Sequence, residues 1–562
     1  MKATRARRAA VLVTAAGLAV GTVAACGSGS GSSSGSTATS NKIINVATTG
    51  TGVVANFNPF AAATSLVGTQ GMIYESLFYF NTVKVGDVQP ELGTAYSFAD
   101  GGKTIDITTR QGVRWSDGQP FSADDVAFTY NLIKNNAKLN LGALPLISAT
   151  ASDASHVTLT FSQPVYTRVS NIVGGTAMVP KHIWASLPDP AAFTNAKPVG
   201  TGPFMLTSVS QQNWVLERNP NYWDAGKPKI KGIRFIQFSG NDSVTAALAA
   251  GQIDWCGGFI QDIDKQFISK DRAHNHYINE SQALITNLVP NLDKSVLADP
   301  AARKAVSQAI NRDQLLQQAF SGYGKPVSVT ELPIPLLSDY IKPDYQSSPL
   351  LTYNASTAGQ TLQQAGWAKG PDGIYAKGGR RLSFTVMTVE GWSDYISALQ
   401  IMTQELKTAG IEMKTQQVSY NAFATAQQVG NFDVIITNTY SDDGTPYSFY
   451  ARAFASWRTA PVGKQADSNF GRFRDATVDQ ALHAIEQTPP DQTDAIKAQI
   501  LKIQDVIATQ LPYIPIQQSS ALVEYRTANV TNFPTEQDHY AFAAPFGWWG
   551  LGVVAKNLVP VK

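Results

Sequence analysis

Apolar positions from Ile43 onward alternate or recur at helical spacing in short stretches, which predicts strands and helices in mixed order. Ile43, Ile44 and Val46 open an extended segment that leads to the turn-forming pair Asn58-Pro59. Between Leu92 and Arg114, Ile105 and Ile107 alternate with polar residues after Asp100-Gly101-Gly102, which predicts a hairpin. Ser122 stands three residues before Asp125 as a capping box, and Val126, Tyr130 and Ile133 continue at helical spacing. Val157, Leu159 and Phe161 alternate again. Ile233-Arg234-Phe235 opens a strand, and a helix runs from Asp242 to a stop at Gly251. Asp299-Pro300 starts a helix whose stripe of Ala305, Val306, Ala309 and Ile310 belongs to a core. Leu382, Phe384 and Val386 read as a strand, Leu399, Met402 and Leu406 as a helix ending near Gly410, and Ile411, Met413 and Thr415 as a second strand. Such a unit needs a crossover between parallel strands, so residues 380–440 are expected to form a sheet covered by helices. No period of about 20–50 residues recurs, which disfavours solenoids and propellers.

The first residues follow another pattern. Residues 1–8 carry four cations, residues 9–25 carry no charge, and Cys26 follows small residues. This is the layout of a signal peptide. The apolar stretch is too short and too rich in Ala, Gly and Thr for a span, which takes roughly 20 strongly apolar residues. Val23-Ala24-Ala25-Cys26 resembles the lipobox of bacterial lipoproteins, which implies cleavage before Cys26 and lipidation of its thiol. Residues 27–40 are almost entirely Gly, Ser and Thr and predict a flexible tether of roughly 20 Å. The run Gly31-Ser32-Ser33-Ser34-Gly35 matches a hydrolase pattern only by chance, since no strand precedes it.

At 562 residues the chain exceeds one compact core, and 43% apolar against 15% charged residues marks it as globular. Without Lys2, Arg5, Arg7 and Arg8 the body holds 40 Lys+Arg against 42 Asp+Glu. A near-neutral surface without basic runs argues against nucleic acid as a partner. Cys256 has no second body cysteine to pair with and reads as a packed core residue. No zinc helix, P-loop or strand-borne dinucleotide loop is present, so no metal, nucleotide or other cofactor is expected. Acidic pairs such as Asp124-Asp125 serve as helix starts or solvated faces, and no catalytic constellation emerges.

Several ordered motifs are similar to those of the large extracytoplasmic solute-binding proteins of the oligopeptide and dipeptide type, family 5. They are Tyr74-Glu75-Ser76-Leu77, the stretch Arg110 to Phe121 with Ala123-Asp124-Asp125-Val126, Thr201-Gly202-Pro203-Phe204, Arg218 to Trp223, Ala247 to Asp254, Arg303 with Asn311-Arg312-Asp313, and Ala365-Gly366-Trp367. The resemblance implies an α/β, two-lobed fold of the periplasmic-binding-protein kind, with mixed sheets, a hinge and an extra subdomain. Its implied organisation is a signal peptide (1–25), a lipidated Cys26 and tether (26–41), lobe I (42–80, 199–283 and 523–562), an extra subdomain (81–198) and lobe II (284–522). It implies a monomer held on the outer face of the cytoplasmic membrane through Cys26. Such a protein delivers an oligopeptide to an ABC permease with ATPase subunits and performs no catalysis. In that family an aspartate meets the peptide's α-ammonium, and Asp442 in Ser441-Asp442-Asp443-Gly444 stands at the matching position. Asp443-Gly444 departs from the usual continuation of that segment. An oligosaccharide is the competing ligand, since Asn56-Phe57-Asn58-Pro59-Phe60 resembles the opening of sugar-binding members. This brings in Phe57 and Asn58, with Trp392 and Trp457 ahead of Trp548 and Trp549 as rings for stacking.

Overall fold

The computed structural model describes residues 40–50, 52–61, 65–140, 143–280, 284–519 and 521–561; Cys26 and the tether lie outside these. The described residues form one compact unit.

A seven-stranded sheet organises the first lobe. Its order is Asn275–Asn279, Leu522–Arg526, Trp255–Gly257, Ile43–Thr49, Gly232–Phe238, Asn213–Arg218 and Phe204–Val209. Ile43–Thr49 runs parallel to Gly232–Phe238, while the hairpin Phe204–Val209/Asn213–Arg218 adds antiparallel pairing, so the sheet is mixed. A five-stranded sheet organises the second lobe in the order Glu412–Val418, Ser383–Val389, Val434–Tyr440, Leu284–Pro290 and Ile514–Ser519. The chain passes from the first sheet to the second between Asn279 and Leu284 and returns between Ser519 and Leu522. A separate four-stranded antiparallel sheet, Gly93–Ala99, Thr104–Thr109, His156–Phe161 and Leu146–Ala151, forms a third body with the helix Ala123–Lys134.

Alternation explains the second lobe. Val434 and Ile436 face a core containing Leu399 and Met402 of the helix Ser393–Thr408, whereas Ile435 between them faces Phe423 of the helix Tyr420–Val429. A sheet with helices on both faces needs strands apolar on both sides, and VII in this strand provides them. The expected crossover unit is present, with Ser383–Val389 parallel to Glu412–Val418 and Gly410 turning at φ +81. The predicted hairpin turns at Asp100–Gly102, and the Asp125 carboxylate accepts the Ser122 N–H at 3.1 Å. Asp299 caps its helix by accepting the Ala301 N–H at 2.9 Å. Cys256 is 1% exposed, and its thiol donates to Glu524.

Several of the ordered motifs meet in one polar knot far apart in sequence. The Glu75 carboxylate accepts from Tyr222 Oη at 2.9 Å and Trp223 Nε1 at 3.0 Å, and the Arg110 guanidinium lies 4.0 Å above the Trp223 ring. Beside it Lys556 Nζ, on the helix Trp548–Asn557, donates to both oxygens of Glu91 at 2.6 and 2.7 Å. This pair staples the C-terminal helix to the base of the third body, with side chains only 9% and 8% exposed. Removing one partner leaves a buried charge alone. Lys556→Met is therefore expected to destabilise the protein by about 3 kcal/mol, with Glu91→Gln/Lys556→Met recovering part of the loss, read by chemical denaturation.

Candidate functional site

Strands Ser383–Val389, Glu412–Val418 and Val434–Tyr440 are parallel, so their carboxyl ends share one edge of the second sheet. The helix after the first of these packs on one face, and the helix after the second packs on the other. Connections leaving in opposite directions open a crevice at that edge, where open α/β sheets receive ligands. Trp392 and Tyr420 follow the ends of the first two strands, and Tyr440 is the last residue of the third. Tyr420 and Tyr440 are each 41% exposed, and the Trp392 ring lies 6.3 Å from Tyr420.

The first lobe meets this edge directly. The Asn241 N–H donates to the Gly391 carbonyl at 3.0 Å, and Asn241 Nδ2 reaches Ser393 Oγ and Asp394 Oδ1 at 3.2 and 3.3 Å. Gly240 rests on Gly391 so closely that an added Cβ would lie 2.7 Å from the Gly391 Cα. Burial raises Asp394 to about 6. On the same side Tyr323 Oη accepts the Ile263 N–H at 2.9 Å, and a small cavity lined by Thr48, Thr49, Asn241, Cys256 and Phe259 indents the first lobe.

The third body closes the other end. Asn171 Nδ2 donates to Asp442 at 2.7 Å and Ser170 Oγ to Asp443 at 2.9 Å. Asp442 is also paired with Arg452, whose Nη1 stands 2.8 and 3.1 Å from the two carboxylate oxygens. Arg452 Nη2 donates to Tyr440 Oη at 2.6 Å, and the guanidinium lies 4.1 Å from the Tyr440 ring centre. Burial alone would raise Asp442, but Arg452, Arg458 and the Asn171 amide outweigh it and hold the carboxyl below its ordinary value. Burial would likewise favour a neutral Arg452, yet Asp442 and Tyr440 keep it charged more firmly than a free arginine.

Of the residues singled out in the sequence, Asp442 and Trp392 come to this edge. Trp457 instead stacks on His483 at 4.2 Å, and His483 in turn contacts Glu486. Phe57 and Asn58 are each 1% exposed and have internal duties in place of a ligand surface. Phe57 packs in the first-lobe core, and its backbone bonds Thr194 and Asn195. Asn58 folds its own turn, accepting from the Phe60 N–H and donating to the Pro190 carbonyl. Asn171, Asn241, Tyr420, Tyr440 and Arg452 were not singled out. Arg452 alone left a trace, as the one charge in the otherwise uncharged helix Pro446–Phe454, PYSFYARAF, where a half-buried cation demands an anion.

The profile of the bacterial extracellular solute-binding proteins, family 5 (middle region), matches residues 87–460. The chain is 27% identical over 374 residues to the oligopeptide-binding protein AppA of Bacillus subtilis (strain 168), covering 65% of this chain and 67% of that protein. It is 26% identical over 484 residues to the glutathione-binding protein GsiB of Salmonella typhi, covering 82% and 86%. The crystal structure of the mannohexaose-bound periplasmic oligopeptide-binding protein of Thermotoga maritima superposes with a TM-score of 0.83 at 24% identity, over 92% of this chain and 99% of that one. These likenesses agree with the two-lobed α/β architecture.

Burial also raises Glu280, beside the crossing between sheets, to about 7, and Glu331 and Glu524 to about 8. Each folded-state value lies above the ordinary carboxylate value, so the folded protein holds more protons than the unfolded chain between those limits. Stability is then greatest on the acid side of this window and falls as pH rises through it. A melting temperature a few degrees higher at pH ~5.5 than at pH ~8.5 is expected, and Glu331→Gln should flatten that slope.

Proposed function

Because the chain belongs to the bacterial extracellular solute-binding proteins of family 5, we propose that it is the lipid-anchored receptor of an ABC importer, catching an oligomeric solute between its lobes. The observation that carries this reading is the facing of two lobes over the carboxyl edge of a switched α/β sheet, joined there by Asn241, Gly240 and Gly391. Two crossings between the sheets give the lobes a hinge, and closure shields the solute from water. The work of such a protein is capture and release, not catalysis. Cys26 holds it as a monomer at the outer face of the cytoplasmic membrane, and the tether lets the body reach a permease driven by ATPase subunits.

An oligopeptide is the ligand suggested by the names of relatives, bound in extended form through main-chain hydrogen bonds that tolerate varied side chains. An oligosaccharide is the second reading, favoured by the exposed rings at the strand ends and by the Arg452 partner of Asp442.

Two measurements test the proposal. Gly240 has φ 168, extended backbone open to any residue, so Gly240→Val strains only the contact with Gly391. A ligand found by thermal-shift screening should raise the melting temperature of the wild type, since ligand at 100 times its Kd adds about 2.7 kcal/mol. Gly240→Val should lose most of that shift, while its ligand-free melting temperature stays near that of the wild type. In a bacterial host, Cys26→Ser should abolish fatty-acid labelling and release the protein from the membrane fraction; retention of both lipid and membrane association would refute the anchor.

A further inference from the structure

The Asp442–Asp443 pair offers a charged ligand less than its sequence suggests. Asp442 Oδ1 is taken by Arg452, and Oδ2 is shared between Arg452 and Asn171. In Asp443, Oδ1 accepts from the Thr445 N–H at 2.9 Å, Thr445 Oγ1 at 2.7 Å and Ser441 Oγ at 3.2 Å, and Oδ2 accepts from Ser170. Both carboxylates thus have donors within the protein, and the one that carries a formal counter-ion has a full positive charge against it. An α-ammonium arriving at Asp442 would meet that pair, gain little Coulomb attraction and suffer repulsion from the guanidinium.

The surroundings suit a different partner. Tyr420 and Tyr440 keep exposed rings, Trp392 lies 6.3 Å from Tyr420, and the charge beside Tyr440 belongs to the Arg452–Asp442 pair, which is closed on itself and bonded by the Asn171 amide. Flat aromatic faces beside amide donors and acceptors match the alternating C–H faces and hydroxyl rims of pyranose rings.

We propose that Arg452 sets the ligand class of the cleft by neutralising Asp442, so that the solute is an uncharged oligosaccharide stacked on Trp392, Tyr420 and Tyr440. This rests on the importer reading above and narrows it. Arg452 determines specificity through Asp442.

The test is calorimetric titration of the full-length protein, freed of carried-over solute by unfolding and refolding, with three probes: a peptide with a free amino terminus, the same peptide acetylated, and β-linked gluco- and manno-oligosaccharides. In the wild type the oligosaccharides bind, and the two peptides differ in Kd by less than about threefold. Arg452→Gln frees the Asp442 charge, so the free-amine peptide gains at least about tenfold over its acetylated form. Arg452→Lys keeps a cation at that position and retains the wild-type preference, which separates charge from a folding defect. Tyr440→Ala weakens oligosaccharide binding by about tenfold. A wild-type preference of about tenfold or more for the free amine overturns the proposal and leaves the importer reading standing. Oligosaccharides that fail to bind the wild type overturn the proposal whatever the peptides do.

Discussion

The cleft depends on a backbone contact that permits no side chain. Gly240 and Gly391 come together where the first lobe meets the second, and an added Cβ on either would fall within 3 Å of the other segment. Gly391 also sits at φ +79, which favours glycine on its own account. With both positions bare, the Asn241 N–H reaches the Gly391 carbonyl and its side chain reaches Ser393 and Asp394. The spacing between the lobe edges, and hence the room beside Trp392 and Tyr440, follows from that approach.

Charge is handled differently at the two ends of the molecule. The Glu91–Lys556 pair is shut inside the scaffold, where both carboxylate oxygens point at one ammonium. At the cleft, Asp442 and Arg452 are each 20% exposed and share contacts with Asn171 of the third body and Tyr440 of the second lobe. A pair so placed organises three segments at once. It fixes the loop after Val434–Tyr440 against residues 170–171, and it holds the Tyr440 ring beneath a guanidinium.

Much of the architecture was legible because it is local. The Asp100–Gly102 turn, the Ser122 box and the Asp299 cap each rest on residues within a few positions of one another, and the crossover around residues 383–418 joins strands that follow each other directly along the chain with one helix between. The site was legible only in fragments. Asp442 could be singled out from its neighbours, yet its electrostatic state is set by Arg452, a helix away, and by Asn171, 271 residues earlier. Phe57 and Asn58 had the composition of a ligand-facing loop, but the same aromatic and amide groups also serve a buried turn. Only the packing of residues 190–195 against them decides which. Trp457 likewise found a local ring, His483, to stack on.

The order of the strands in the first sheet bears on how the chain comes together after synthesis. Leu522–Arg526 lies between Trp255–Gly257 and Asn275–Asn279, antiparallel to both. Those two neighbours are made more than 200 residues earlier, and the whole second sheet is encoded in between. Until the last segment arrives, the first sheet holds an open slot one strand wide, flanked by unpaired backbone on each side. The second lobe, by contrast, has all its strands once Ser519 has emerged. Assembly therefore has a direction: the inserted lobe can be complete while the lobe that surrounds it still waits for its keystone, and an arrest near the C-terminus leaves an exposed edge ready to pair with another chain.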